Sequence, residues 1–262
     1  MLLYEPPPTQ GDLHFRLFGF PARVSPLFWV VTCIMGLGSG GRGTPPGELL
    51  AWVGVVFVSI VVHELGHAFV QRHFGGRPRI VLHGLGGLAI CDDCDRAPRS
   101  QILISLAGPA AGFLLAAVTL ALIKSRGHYV GLSWSGEILP RDISLLPPDG
   151  IQLVKPWLYW QSFPSASANT LLRKILFVNI VWGLVNLLPV YPLDGGRVAR
   201  EVCTLGNPRR GVALSLQISI VAAVMMAAFA ALRWQSLYGA MMFGYLAYSN
   251  YQSLQAYQRN TW

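Results

Sequence analysis

Charge is scarce in this chain. Only 12% of its 262 residues are Asp, Glu, Lys or Arg, against about 25% in an average soluble domain. Hydrophobic residues make up 53% and the mean hydropathy is +0.46, which excludes an ordinary water-soluble globular domain. Cysteine is rare too: Cys33, Cys91, Cys94 and Cys203 make no disulfide framework in a chain of this size. Cys91-Asp92-Asp93-Cys94-Asp95 holds a single C-x-x-C without a second pair. It reads as a solvated acidic turn with reduced thiols rather than as a metal or redox site. An apolar h-region is missing from the N-terminal stretch, where Tyr4-Glu5-Pro6-Pro7-Pro8 is polar, so the first span is expected to serve as its own insertion signal. A basic stripe with interleaved aromatics is also lacking, and the formal charge of +8 therefore does not point to nucleic acid.

What the chain does have is long uncharged apolar runs. They cover Val24 to Gly41, Leu49 to Val62, Ser100 to Ile123, Ile175 to Leu193, Gly211 to Leu232 and Trp234 to Gln258, and the longer ones meet the requirement of about 20 residues for a membrane helix. The expected fold is an all-α polytopic membrane protein, a single domain over residues 1–262 with about six transmembrane helices. Its first segment has only a short apolar centre, because Gly36, Gly38, Gly40 and Gly41 interrupt it. Between helices two and three, Arg79–His83 and Gly86–Ile90 are β-rich and separated by Gly84-Leu85, which predicts a small membrane-associated β-hairpin. Residues 1–24 read as an amphipathic lead-in without a domain. Residues 125–172 are too polar to span, and Trp157, Tyr159, Trp160 and Phe163 near their end read as a membrane-surface anchor.

Arginines cluster between spans. Arg72, Arg77, Arg79, Arg96 and Arg99 follow the second, and Arg197, Arg200, Arg209 and Arg210 follow the fourth. Both groups are expected on the cytoplasmic face, which places both termini inside a multi-pass cell-membrane protein and residues 125–172 outside. Arg173 and Lys174 abut a span on the outer side and conflict with that assignment.

The chemistry begins at the end of the second apolar run, with His63-Glu64-Leu65-Gly66-His67. Residues i and i+4 of a helix lie about 40° apart around its axis, so both imidazoles aim at one point while Glu64 flanks them. Ionisable groups at membrane depth cost about 2.5–3.5 kcal/mol each and call for a function. Two histidines hold zinc poorly, and a catalytic zinc has three protein ligands as a rule. The third is expected from Asn186-Leu187-Leu188-Pro189-Val190-Tyr191-Pro192-Leu193-Asp194-Gly195-Gly196. Pro189 and Pro192 break the helix, and the glycines let the backbone turn Asp194 toward the metal.

HELGH paired with NLLPVYPLDGG resembles the site-2 protease family of intramembrane zinc metalloproteases. Looser likenesses are Phe18-Gly19-Phe20-Pro21-Ala22-Arg23-Val24 in the lead-in, where Ser25 follows in place of a frequent His, and Gly86-Gly87 and Ala107-Gly108-Pro109 further along. The resemblance implies one Zn2+ held by His63, His67 and Asp194, with Glu64 as the catalytic carboxylate and Asn186, Gly86 and Gly87 in contact with substrate. The resemblance is to the compact form, and no PDZ or CBS module is expected. The expected partners are the lipid bilayer and transmembrane protein substrates, cut near the cytoplasmic face in regulated intramembrane proteolysis. The competing reading is a non-proteolytic metal-binding or transport protein with the same ligands, against which Glu64 argues, since storage needs no base. A prenyl-protein-type protease would more naturally use a glutamate as third ligand. His73 points away from the site, His83 reads as an ordinary polar contact, and Gly108, Pro109 and Gly112 read as helix packing.

Overall fold

The structure is a computed structural model; it describes residues 7–37, 44–84, 86–134, 148–152 and 156–259. Its frame is a pair of 28-residue helices, α2 (Pro46–His73) and α3 (Pro98–Ser125). At 1.5 Å per residue each is about 42 Å long, more than the roughly 30 Å of a bilayer core. They approach closely because Gly66 has no side chain: a Cβ there would press on Ala107 O and Ala111.

Two further stretches are long and apolar enough to cross a membrane, Ala166–Asn186 and Pro208–Leu232. The first comprises α4 (Ala166–Phe177), a π-helical turn (Val178–Trp182) and α5 (Gly183–Asn186), and the second is α7. Four of the six expected spans therefore stand on length and composition. The first expected span contains α1 (Pro26–Gly36), whose 11 residues rise only about 16 Å; Gly38, Gly40 and Gly41 lie outside the described residues. The last is α8 (Leu237–Arg259), long enough at 23 residues but diluted by Tyr, Ser, Asn and Gln.

The fold is mostly helical rather than all-α. The lead-in, expected as an amphipathic stretch without a domain, forms β1 (Leu13–Leu17) and β2 (Phe20–Val24). β2 runs parallel to β3 (Arg79–His83), which pairs antiparallel with β4 (Gly86–Ile90), so the sheet order is β1-β2-β3-β4. The place of β2 beside β3 could not be read locally, because Ala22 pairs with Ile80, 58 residues later, whereas β1 pairs with β2 across the Phe18-Gly19 turn. Val24, Phe28, Ile80 and Leu82 are buried against Val55, Val56, Leu65 and Ala68 of α2, which seats the sheet along that helix. From β2 the chain returns beside α2, where Trp52 Nε1 donates to Thr32 O at 3.1 Å.

A second sheet, β5-β7-β6, is built from Val130–Ser133, Asp149–Gln152 (β6) and Trp157–Trp160 (β7). Trp160 is 0% and Tyr159 3% exposed; Trp160 is packed with Ile123 and Leu176. These two aromatics are core residues, not the surface anchor their composition implied. The conflicting basic pair also has a local cause. Arg173 forks onto Asp149 at 2.7 and 2.9 Å, and Lys174 donates to Glu48 O at 2.8 Å, so both cations answer nearby acceptors.

Candidate metal centre

The histidines sit in the C-terminal half of α2 and the aspartate opens α6 (Asp194–Thr204). Between α5 and α6, residues 187–193 are irregular, as Pro189 and Pro192 require. This connection is fixed from both sides: Tyr191 N donates to Ser219 Oγ of α7 at 3.0 Å, and Asn250 Nδ2 of α8 donates to Tyr191 O at 2.6 Å. Gly195 and Gly196 lie so close to the backbone of residues 187–191 that any Cβ would collide with it. The glycines thus let α6 fold back, which carries Asp194 to α2.

His63 Nε2 is 3.1 Å from Asp194 Oδ2 and 3.1 Å from His67 Nε2, and His67 Nε2 is 3.4 Å from Asp194 Oδ2. Ligands about 2.0–2.1 Å from a tetrahedral zinc stand roughly 3.3 Å apart, so these three atoms fit that ion. His67 Nδ1 is 2.6 Å from Ile104 O. A carbonyl only accepts, so Nδ1 carries the proton and Nε2 turns its lone pair toward the cluster. Gly108 of α3 makes room for the rings, since a Cβ there would strike the Nε2 atoms of both His67 and His63. Its place is therefore against the two imidazoles themselves, beyond the helix packing that its sequence context indicated.

Glu64 is 4% exposed and faces β4: a Cβ on Gly87 would come within 2.5 Å of Glu64 Oε1. Among the described residues β4 is the last strand of its sheet. Gln71 Nε2 donates to Ala89 O at 3.0 Å, which directs that carbonyl away from β3. By strand alternation Gly87 presents its N–H and C=O to the same open side, and Gly86 has φ +129°, a conformation suited to glycine.

A cavity of about 220 Å³ joins these elements. Its walls include the four α2 and α6 groups, Gly86, Gly87 and Asn186, so all seven sequence-predicted site residues meet there. The walls also include Ser59, His83, Asn179, Arg197 and Tyr245, which the sequence had not marked as site residues. Burial and the cation of Arg23 push the His83 imidazole below its usual pKa. Asn179, in the π-helical turn, donates to Ser59 Oγ at 2.9 Å and Ile175 O at 2.8 Å. Its amide within an apolar run was the available signal. His73, at the exposed end of α2, stays clear of the cavity.

A family model described as peptidase family M50 matches residues 51–230, a stretch that contains all seven predicted residues. A Synechocystis protein provisionally named a zinc metalloprotease is 26% identical over 214 residues, covering 77% of this chain and 47% of its own. A zinc metalloprotease of Methanocaldococcus jannaschii is 27% identical over 149 residues, covering 56% and 33%. The chain thus spans half or less of the length of these curated relatives. In fold it is similar to the site-2 protease from Methanocaldococcus jannaschii, with a TM-score of 0.54 at 20% identity over 93% of this chain and 95% of that one. With the match running from α2 through α6 and into α7, the chain belongs to peptidase family M50, the site-2 protease family.

Proposed function

We propose that this protein is an intramembrane zinc endopeptidase that cuts transmembrane proteins near their cytoplasmic boundary, in regulated intramembrane proteolysis. His63, His67 and Asp194 hold the metal, Glu64 is the catalytic carboxylate, and Gly86, Gly87 and Asn186 receive the substrate. The observation that carries this reading is the juxtaposition of the three-atom cluster, with Glu64 beside it, and the open edge of β4. Bound zinc supplies a Lewis acid for the peptide carbonyl and lowers the pKa of water.

The chain's own residues do the rest. A substrate helix hides its carbonyls in its own hydrogen bonds, so it must unwind before attack. The unwound segment adds to β4 as an extended strand, with Gly87 N–H and C=O as main-chain partners. Asn186, at the end of α5, offers amide hydrogen bonds to that strand from the opposite wall. Glu64 accepts a proton from the attacking water on a carboxylate oxygen and delivers it to the departing amine nitrogen. Leu88 and Ala89 extend the wall where the strand would lie.

In this reading α8 crosses the membrane beside α7, and the run from Val24 to Gly41, to which α1 belongs, makes the remaining segment. Six segments leave both termini on the cytoplasmic face with the Arg-rich connections. Reconstituted wild type and Glu64→Gln, compared on a transmembrane peptide with zinc measured in both, test the activity. Equal zinc with cleavage reduced by about 10²-fold or more is expected. Zinc-loaded wild type that cleaves no membrane substrate would return the site to metal binding or transport.

A further inference from the structure

Beyond the metal centre, one cluster of reactive side chains stands out, in the turn that leaves β4. The sequence led us to expect reduced thiols there; instead Cys91 and Cys94 are joined as a disulfide. Gly76 makes room for them, since a Cβ at that position would press on both sulfur atoms. Each sulfur also faces an acceptor: Cys91 Sγ lies 3.4 Å from Asp93 Oδ1, and Cys94 Sγ lies 3.7 Å from Gln71 O. A disulfide has no proton to donate, so these oxygens suit the dithiol form, which the same backbone accommodates. Both cysteines are half-buried, open enough for a reductant to reach. Their segment carries Arg72, Arg77, Arg79, Arg96 and Arg99, the charge pattern of a cytoplasmic loop. Disulfides formed in that compartment are, as a rule, transient and catalytic or redox-sensing.

Gln71 links this pair to the metal centre. Its carbonyl meets Cys94, while its side-chain amide bonds Ala89 O on the open edge of β4. Gly87, two residues before Ala89, touches Glu64. We propose that Cys91–Cys94 is a reversible thiol–disulfide exchange site for a cytoplasmic dithiol, and that its oxidation state sets how firmly β4 is held beside Glu64. The consequence for cleavage rests on the reading of β4 as the substrate-receiving strand; the exchange itself does not.

In the exchange a thiolate of the reductant attacks Cys91 Sγ, whose surroundings are the more exposed. The Cys91–Cys94 bond breaks, a mixed disulfide forms and Cys94 leaves as a thiolate that takes up a proton. The second thiol of the reductant then displaces Cys91. The protein gains two electrons and two protons, and the reductant departs as its own disulfide.

The test uses the full chain in proteoliposomes, equilibrated with oxidised or reduced dithiothreitol. Alkylation of thiols followed by mass measurement counts those released, and hydrogen exchange reports residues 86–90. The expected result is two additional alkylated cysteines on reduction and at least threefold faster exchange in β4 at unchanged zinc content. A Cys91→Ser/Cys94→Ser double variant should match the reduced form in either buffer. A disulfide that excess dithiol leaves closed, or β4 exchange equal in the two states, overturns the proposal. Neither readout depends on catalysis. If the redox response is present but no peptide is cleaved in either state, the protease reading has failed and the exchange site stands.

Discussion

His67 Nδ1 donates to the carbonyl of Ile104 at 2.6 Å, tying the second histidine of the cluster to the helix that faces it. This bond fixes the tautomer, and Gly108, one turn further along α3, fixes the space into which the rings project. The ligand geometry is thus a property of the α2–α3 contact as much as of HELGH. A Cβ at Gly108 cannot be absorbed by a flexible chain end, because the atoms it meets are the imidazole nitrogens. Gly108→Ala should lower zinc affinity by about 10- to 100-fold, the range for disturbed ligand support, while helix content is retained. Zinc titration with a competing chelator, alongside circular dichroism, measures the two effects separately.

Asp194 is the proposed ligand furthest in sequence, 131 residues from His63. Removing its carboxylate leaves two imidazoles, too few for a stable site. Asp194→Ala is expected to lose both zinc and activity, in contrast to Glu64→Gln, which keeps the metal. Metal analysis showing equal zinc in wild type and Asp194→Ala would eliminate Asp194 as the third ligand.

Much of this site was legible in the sequence because its parts are short and chemically unusual. His63, Glu64 and His67 are polar residues at fixed helical spacing in an apolar run, and Asp194 follows two helix-breaking prolines. What could not be read was long-range contact. Parallel pairing of β2 with β3 leaves no local periodicity. The burial of Trp160 depends on Ile123 and Leu176, and the place of Asn179 depends on Ser59. Cys91 and Cys94 had the spacing of a redox pair, but the room that Gly76 provides for their sulfurs appears only in the fold. The polar composition of α8 hides a positional role, since Asn250 secures the backbone just before Asp194.

The lead-in strands carry a pH response. Asp12 accepts from Thr9 Oγ1 at 2.6 Å and Thr9 N at 3.0 Å, and pairs with Arg23 of β2 at 2.8 Å. The Thr9 hydrogen bonds, then Arg23, hold its carboxyl at a pKa of about 2, against an ordinary 3.8. A depressed carboxyl stabilises the folded state fully above its unfolded value and stops doing so as the pH falls through the folded one. The anchoring of β1 on β2 should therefore persist to about pH 4 and weaken between there and about pH 2. Hydrogen exchange of residues 13–24, corrected for intrinsic pH dependence, should show this in wild type and not in Asp12→Asn. The same profile in both proteins would remove Asp12 as the cause.

Gly87 gives the sharpest separation between metal binding and catalysis. It lies on β4, and a side chain there would meet the Glu64 carboxylate, not the imidazoles. The two outcomes of crowding are a displaced Glu64 or a displaced strand edge, and either one leaves His63, His67 and Asp194 in place. Gly87→Ala should therefore keep wild-type zinc affinity while cleavage falls by about 10²-fold, the scale of a misplaced general base. If displacement of Glu64 dominates, kcat falls at unchanged KM; if the strand edge moves, KM rises as well. Steady-state kinetics on a transmembrane peptide, with zinc content measured on the same samples, distinguishes these cases. Wild-type kinetics in Gly87→Ala would mean that β4 and Glu64 do not act on the same substrate segment.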